Sequence, residues 1–264
     1  MLFLKDLKHN LKVFFIWFAI LFMFSYMVAP FIDTVMNDSE EILKFVNSLP
    51  KFMLKAFNIS ESFITPEGFF GAKVMMMAQI FAAIFSVLLA SSIFSQEFEY
   101  KTIEYLLIKP ISRKRVYWYK TFVLFLFYST FALAFGLSVL YLFNVYVNFE
   151  YNARILLGFA LYLYVVETFF GFLTLLFSVL FQKSTFSISL SIGLFVIMYI
   201  TDLVGTTMEK MENIRYFSIF KYISIGDTLK TNTVFVKNSI CLILISFVML
   251  IIGEVIFRKE DIKI

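Results

Sequence analysis

Residues 72–95, AKVMMMAQIFAAIFSVLLASSIFS, decide the fold, because these 24 residues hold one charged side chain, Lys73. An α-helix needs about 20 mostly apolar residues to cross the ~30 Å hydrocarbon layer of a bilayer. The stretch contains neither Pro nor Gly, so nothing in it favours a break in the helix. The segment therefore predicts a membrane-spanning helix.

Five further stretches on either side of this one meet the same criterion. They are residues 13–32, 116–143, 154–181, 185–204 and 236–257. The chain of 264 residues is 61% hydrophobic and 16% charged, whereas soluble domains are about 25% charged. So few charges cannot cover a surface that faces water. We therefore predict an all-α, polytopic membrane protein with six transmembrane helices, forming a single domain over residues 1–264.

Short interfacial and external helices are predicted outside the spans. Residues 2–12 alternate apolar side chains with three lysines, a pattern typical of an interfacial helix whose lysines reach toward the headgroups. Residues 42–57 carry an apolar face interrupted by Pro50, which predicts a broken amphipathic helix on the outer side. Residues 205–235 mix charged with aromatic side chains, which predicts a segment docked on the spans.

The distribution of basic residues predicts the orientation. Thirteen of the 23 Lys and Arg residues fall in the two terminal segments, around residues 96–120 and at Lys183. These regions share one side of the membrane if the six spans alternate in direction. Because cytoplasmic loops carry the excess of Lys and Arg, we expect both termini to be cytoplasmic.

Several classes of protein are excluded by the rarity of reactive side chains. Cys241 and His9 are the single Cys and the single His, so a disulfide framework, a zinc site or a His-dependent triad is ruled out. The chain has neither a phosphate-binding loop nor a dinucleotide fingerprint, which argues against a nucleotide bound by this chain. We therefore expect no enzyme, no metal and no cofactor. The basic triplet 113–115 flanks a span, which favours a membrane role over nucleic acid.

Two acidic residues lie within predicted spans. Glu167 is central in residues 154–181, where an ionised carboxylate costs about 2.5–3.5 kcal/mol on insertion scales. Such residues often mark a transport path, so Glu167 is a candidate for the translocation path; the alternative is a hydrogen-bonded structural residue. Glu254 is four residues before Arg258, which predicts an ion pair along one helix.

The segment between the second and third spans, residues 95–113, reads SQEFEYKTIEYLLIKPISR. Pro110 predicts the end of a short helix, because the residue before a proline is pushed out of the helical region. Ser112 is placed to cap the helix that follows. On the short helix, three large apolar side chains share one face; they are Ile103, Leu106 and Leu107.

This segment resembles the cytoplasmic loop of type-2 ABC transporter permeases, the six-helix membrane subunits of bacterial ABC exporters. The family pattern is Glu-x-Glu, then Gly-Thr-hydrophobic, two residues, Leu-Leu, two residues and Pro-hydrophobic-Ser/Thr-Arg. The matching positions are Glu97, Glu99, Thr102, Ile103, Leu106, Leu107, Pro110, Ile111, Ser112 and Arg113. Lys120 stands where a further basic residue is common, and Lys101 departs from the usual Gly.

The resemblance implies that residues 96–115 are a coupling loop that binds a separate ATP-binding subunit. The partner-binding residues it implies are Glu97, Glu99, Thr102, Ile103, Glu104, Leu106, Leu107, Pro110 and Arg113. It also implies an exporter in a bacterial inner (plasma) membrane, with two permease copies and two ATP-binding subunits that hold ATP and Mg. The residues alone leave two alternatives open: a secondary transporter that uses Glu167, and a membrane anchor or immunity protein without an ATPase partner.

Overall fold

The computed structural model describes residues 2–38, 64–99 and 112–259. Within these ranges the chain is mostly helical and has no β-strand. Six helices in the described ranges are long and apolar enough to cross a membrane, which confirms the predicted fold class. We name them span 1 to span 6 in chain order: Lys5–Asn37, Pro66–Glu99, Arg113–Tyr146, Ala153–Phe181, Ser184–Thr207 and Val236–Lys259. The predicted external helix at 42–57 lies outside the described residues.

The first two spans are built from several helical pieces. The helix that carries span 1 begins at Leu2, three residues before the span, and its pieces are Leu2–Val28, the 3₁₀ turn Ala29–Phe31 and Ile32–Asn37. The pieces of span 2 are Pro66–Phe70, the π-turn Gly71–Met75, Met76–Ala90, the π-turn Ser91–Ser95 and Gln96–Glu99. The helix Leu2–Val28 is continuous, so residues 2–12 are the first turns of span 1 and form no separate interfacial helix. Asp6 and Asn10, one turn apart, are buried against other spans and draw these turns into the bundle.

Span 4 is the central helix of the bundle. It packs against spans 2, 3, 5 and 6, and it is the most buried of the six. Spans 1 and 5 are the least buried and expose apolar side chains along much of their length. Apolar exposure of this kind is stable in lipid, because the hydrocarbon layer solvates such side chains as well as a protein core does.

Side-chain caps fix where several helices begin and end. The amide of Arg115 donates to Ser112 Oγ (3.4 Å), so Ser112 caps span 3 as the sequence predicts. Asn152 caps span 4 through the amide of Arg154 (3.0 Å). Span 4 ends where Gln182 adopts a left-handed backbone with φ of 53°. These caps satisfy backbone groups that lack a partner within the helix.

The segment between spans 5 and 6 docks on the bundle. Its helices are the 3₁₀ helix Glu209–Phe217 and the short α-helices Ile219–Tyr222 and Ile225–Thr231. Arg215 Nε lies 2.9 Å from Asp202 Oδ1 of span 5, and Phe220 is buried against the rings of Phe195 and Tyr199. The predicted docking of this segment is therefore confirmed.

Candidate functional site

The end of span 2 that precedes residues 100–111 contacts every other span. We call Ser91–Glu99 the hub segment. It consists of a π-turn followed by one α-helical turn, Gln96–Glu99. A π-turn inside an α-helix is uncommon and is found frequently at functional sites. Because the predicted coupling loop follows directly, the contacts of the hub segment show which helices a moving loop would displace.

Three serines of the hub segment make hydrogen bonds to three different spans. Their partners are Ser184 Oγ of span 5 for Ser91 (2.9 Å), Asn10 Oδ1 of span 1 for Ser92 (3.0 Å) and Ser178 Oγ of span 4 for Ser95. Phe98 packs edge to face against Phe257 of span 6, with ring centroids 6.1 Å apart. In hydrocarbon, a side-chain hydrogen bond between helices replaces an unsatisfied polar group, so these contacts hold the segment in one position.

The remaining contact, to span 3, is a buried ion-pair cluster around Lys120. The Lys120 side chain is 1% exposed, and its Nζ lies 2.6 Å from Glu97 Oε2 and 3.5 Å from Asp6 Oδ2. Nζ also donates to the carbonyl oxygen of Ile93 (2.8 Å) and lies 5.6 Å from the centre of the Phe94 ring. A buried ammonium group is stable where charges and hydrogen-bond acceptors replace its water, and this cluster supplies both.

The Lys120 cluster, formed by Asp6, Glu97 and Lys120, joins the two ends of the segment 100–111. Glu97 stands three residues before this segment, and Lys120 stands nine residues after it. The same lysine reaches Asp6 in span 1. Spans 1, 2 and 3 are therefore fastened together at the point where the chain leaves span 2 and returns in span 3.

The predicted partner-binding residues fall into three groups. Glu97 is buried in the Lys120 cluster, where its carboxylate faces the bundle. Glu99 is exposed and Arg113 is half-buried at the two ends of the loop. The others lie outside the described residues and stay predictions; they are Thr102, Ile103, Glu104, Leu106, Leu107 and Pro110.

Sequence reasoning missed the pairing of Lys120 with Glu97, although a signal for it exists. Lys120 lies within the apolar residues of span 3, and an ionisable residue in such a place requires a partner. Glu97 and Glu99 are the acidic residues that end span 2, and helical spacing alone does not tell which of them faces inward. The three hydrogen-bonding serines gave no comparable signal, because serine is common wherever helices approach closely.

Glu167 lies at the centre of the bundle, in the middle of span 4. Its side chain is fully buried, and neither carboxylate oxygen has a hydrogen-bond partner among the described residues. Tyr128 and Tyr164 are close enough to interact with it electrostatically. The hydroxyl of Tyr128 donates instead to the carbonyl oxygen of Ser86 (2.9 Å). The structural role considered for Glu167 requires a hydrogen-bond partner, and the described part of the chain supplies none.

Comparison with known proteins places the chain in a family. The model of the family described as "Multidrug efflux system permease Rv1217c, C-terminal domain" matches residues 7–258. The chain is 32% identical over 137 residues to "Uncharacterized membrane protein YdbK" of Bacillus subtilis (strain 168), a match that covers 48% of this chain and 53% of the relative. The chain thus spans about half the length of that curated relative. No solved structure matches the chain.

The permease family model matches nearly all of the sequence, and the six apolar helices together hold about two thirds of its residues. The family's description as a permease suggests a transport protein. The chain is therefore a multi-pass membrane protein that belongs to the family of the multidrug efflux system permease Rv1217c, C-terminal domain.

Proposed function

We propose that this chain is the membrane-spanning subunit of an ABC exporter, driven by a separate ATP-binding subunit. In the complex, two permease copies form the translocation path, and two ATP-binding subunits hold ATP and Mg. Both termini face the cytoplasm of a bacterial cell. The family's description as a multidrug efflux permease supports outward transport, and the resemblance of residues 95–113 to a coupling loop supports the ATP-binding partner.

The Lys120 cluster is the observation that carries this proposal. A coupling loop must pass the motion of the ATPase to the helices that line the path. The ion pair between Glu97 and Lys120 ties the two ends of the loop together, and the contact to Asp6 adds span 1. Because the interaction is buried and short, a displacement of the loop moves spans 1 to 3 as one body.

The docking contact itself is assigned to the apolar face of the short helix predicted between residues 102 and 109. Ile103, Leu106 and Leu107 enter a groove on the ATP-binding subunit, with Glu104 and Arg113 making polar contacts at its edge. Burying one such apolar side chain is worth about 1.5–3 kcal/mol, so three of them hold the helix firmly.

We predict that Leu106→Asp combined with Leu107→Asp abolishes association with the ATP-binding subunit. Both positions lie outside the six spans, so insertion in the membrane is expected to be normal, while two carboxylates disrupt the apolar contact. The measurement is the stoichiometry of the ATPase that co-purifies with the tagged permease. Tyr105→Asp with Ile108→Asp is the matched control, because it adds the same charge to the opposite face of the predicted helix. A normal stoichiometry for the Leu106 and Leu107 variant would show that another surface docks the partner.

The orientation is tested by labelling single cysteines with a membrane-impermeant thiol reagent. Cysteines at Asn148 and Asn213, which are exposed at the predicted outer end, are expected to react in intact cells. A cysteine at Lys114 is expected to react only after the cells are opened. The native Cys241 is exposed on span 6 and is first replaced by serine. Labelling of position 114 from outside would reverse the orientation and remove the coupling loop from the reach of a cytoplasmic ATPase.

Glu167 is the observation that favours a second candidate, a secondary transporter. A buried acidic residue inside a membrane span often marks an ion or proton path. That candidate requires no ATP-binding subunit, so the co-purification experiment separates the two. Purification of a fully active transporter without any ATPase would favour it over the ABC exporter.

A further inference from the structure

A groove runs between spans 3 and 4 and opens sideways to the bilayer. Its volume is about 390 Å³, and its floor is made of small residues, Ala132, Gly136 and Ala160. A Cβ on Gly136 would lie 2.9 Å from Ala160 Cβ, so the two helices approach closely along this floor. The groove ends near the middle of the spans, at Ser129 and Tyr164.

The walls of the groove are apolar and lie on the lipid-facing surface. Leu133, Leu137 and Leu157 line it and are each at least half exposed. A molecule that enters it therefore comes from the hydrocarbon layer and must be largely apolar itself. A strongly hydrated solute would lose its water in this apolar groove without gaining hydrogen bonds in return, which is unfavourable.

Glu167 lies about one helical turn beyond Tyr164, the last groove residue of span 4, and on the same side of that helix. It follows Ala160 of the groove floor by seven residues, or two helical turns, which places both on one face of the helix. Tyr164 lines the groove, is half-buried and lies three residues before Glu167 on the same helix, so it is the groove residue of span 4 that comes nearest to Glu167 in the chain. An apolar groove thus leads to a buried acidic side chain that has no hydrogen-bond partner among the described residues.

We propose that this groove binds a lipophilic cation, with the apolar body between the leucines and the positive charge turned toward Glu167. The inference rests on the proposed export function and adds a substrate class to it. Charge complementarity selects this occupant. A lipid acyl chain fills the apolar part and leaves the acid without a partner, and an anion gains no charge pairing from it. The face of the Tyr164 ring, which lines the groove, attracts a positive charge at short range.

The test compares two ions of the same shape and opposite charge, tetraphenylphosphonium and tetraphenylborate. Their binding is measured by equilibrium dialysis on the full chain in lipid nanodiscs, together with whatever ATP-binding subunit co-purifies. The wild-type protein is expected to bind the cation saturably, and Glu167→Gln is expected to weaken this binding by at least about tenfold. Nanodiscs that contain Glu167→Gln also serve as the blank, because the binding that remains there includes the partition of both ions into the lipid. Glu254→Gln is the matched control, since that acid lies near the end of span 6 and pairs with Arg258.

A second pair of variants tests the groove without touching the acid. Ala132→Leu fills the floor and is expected to weaken cation binding, whereas Ala134→Leu, on span 3 but outside the groove lining, is expected to leave it unchanged. An unchanged affinity of Glu167→Gln for the cation would overturn the proposal. Equal saturable binding of the cation and the anion would also overturn it, because that result indicates an apolar groove without charge selection. Co-purification of the ATPase is unaffected by any of these results, so the exporter proposal stands or falls separately.

Discussion

Lys120→Met is expected to lower the free energy of unfolding by about 3–5 kcal/mol, because it leaves buried carboxylates without their cation. Met keeps the length and apolar stem of Lys, so packing is nearly preserved and the lost charge dominates. Glu97 and Asp6 then face each other in a site with little access to water. The measurement is unfolding of the purified protein by SDS in mixed micelles, followed by circular dichroism.

Two further variants show whether the effect comes from the charge. Lys120→Met combined with Glu97→Gln removes the main ion pair as a whole and is expected to recover most of the lost stability, since a neutral pair needs no compensation. Arg258→Met removes a pair of the same type at the end of span 6, where Arg258 Nη1 lies 3.6 Å from Glu254 Oε1 and the Arg side chain is 56% exposed. Because water reaches the exposed Arg258, this pair is partly screened, and the variant is expected to cost less than Lys120→Met even though the Glu254 side chain is only 10% exposed. Equal losses in Lys120→Met and Arg258→Met would contradict the buried-cluster interpretation.

The six helices could be predicted from the sequence because hydropathy reports directly on the solvent of each segment. Each predicted span lies within one observed span. The ends differ most in span 1, which is predicted from residue 13, whereas its helix begins at Leu2. Hydropathy falls at the lysines of the first turns, yet the backbone stays helical there, since a lysine stem can remain apolar while its ammonium group reaches the interface.

Interactions between residues close in the chain were also predictable. The Ser112 cap and the pair Glu254–Arg258 follow from fixed spacing along one helix, and both are observed. The contacts of the hub segment depend on which faces of different helices meet. In lipid an apolar face gains nothing by turning inward, so the sequence pattern does not fix helix rotation. The pairing of Glu97 with Lys120 and the hydrogen bonds of Ser91 and Ser95 therefore appear only when the helices are assembled.

The packing of Tyr128 on Gly171 is a contact of the same kind, invisible in the sequence. A Cβ on Gly171 would lie 2.2 Å from Tyr128 Oη and 2.5 Å from its Cζ. Tyr128 is fully buried, and its hydroxyl donates to Ser86, so the ring is fixed by span 2 as well as by span 3. Gly171 is one turn after Glu167, which places this crossing of three helices directly beside the candidate path.

Gly171→Ala is expected to destabilise the protein by about 1–3 kcal/mol, because the ring cannot move away without breaking its hydrogen bond and the surrounding packing. In an open helix position the same change stabilises by about 0.5–1 kcal/mol. Gly193→Ala in span 5 is the matched control, since a Cβ there meets nothing within 4 Å. The unfolding of both variants is measured in the same micelles.

A double variant tests the mechanism. Tyr128→Leu removes the ring atoms that block the new methyl group, so Gly171→Ala is expected to cost much less in that background than in the wild type. If the stability losses of the two single variants simply add in the double variant, the new methyl group does not contact the Tyr128 ring. The spacing of spans 3 and 4 beside Glu167 would then differ from the arrangement described, and the closed end of the groove with it.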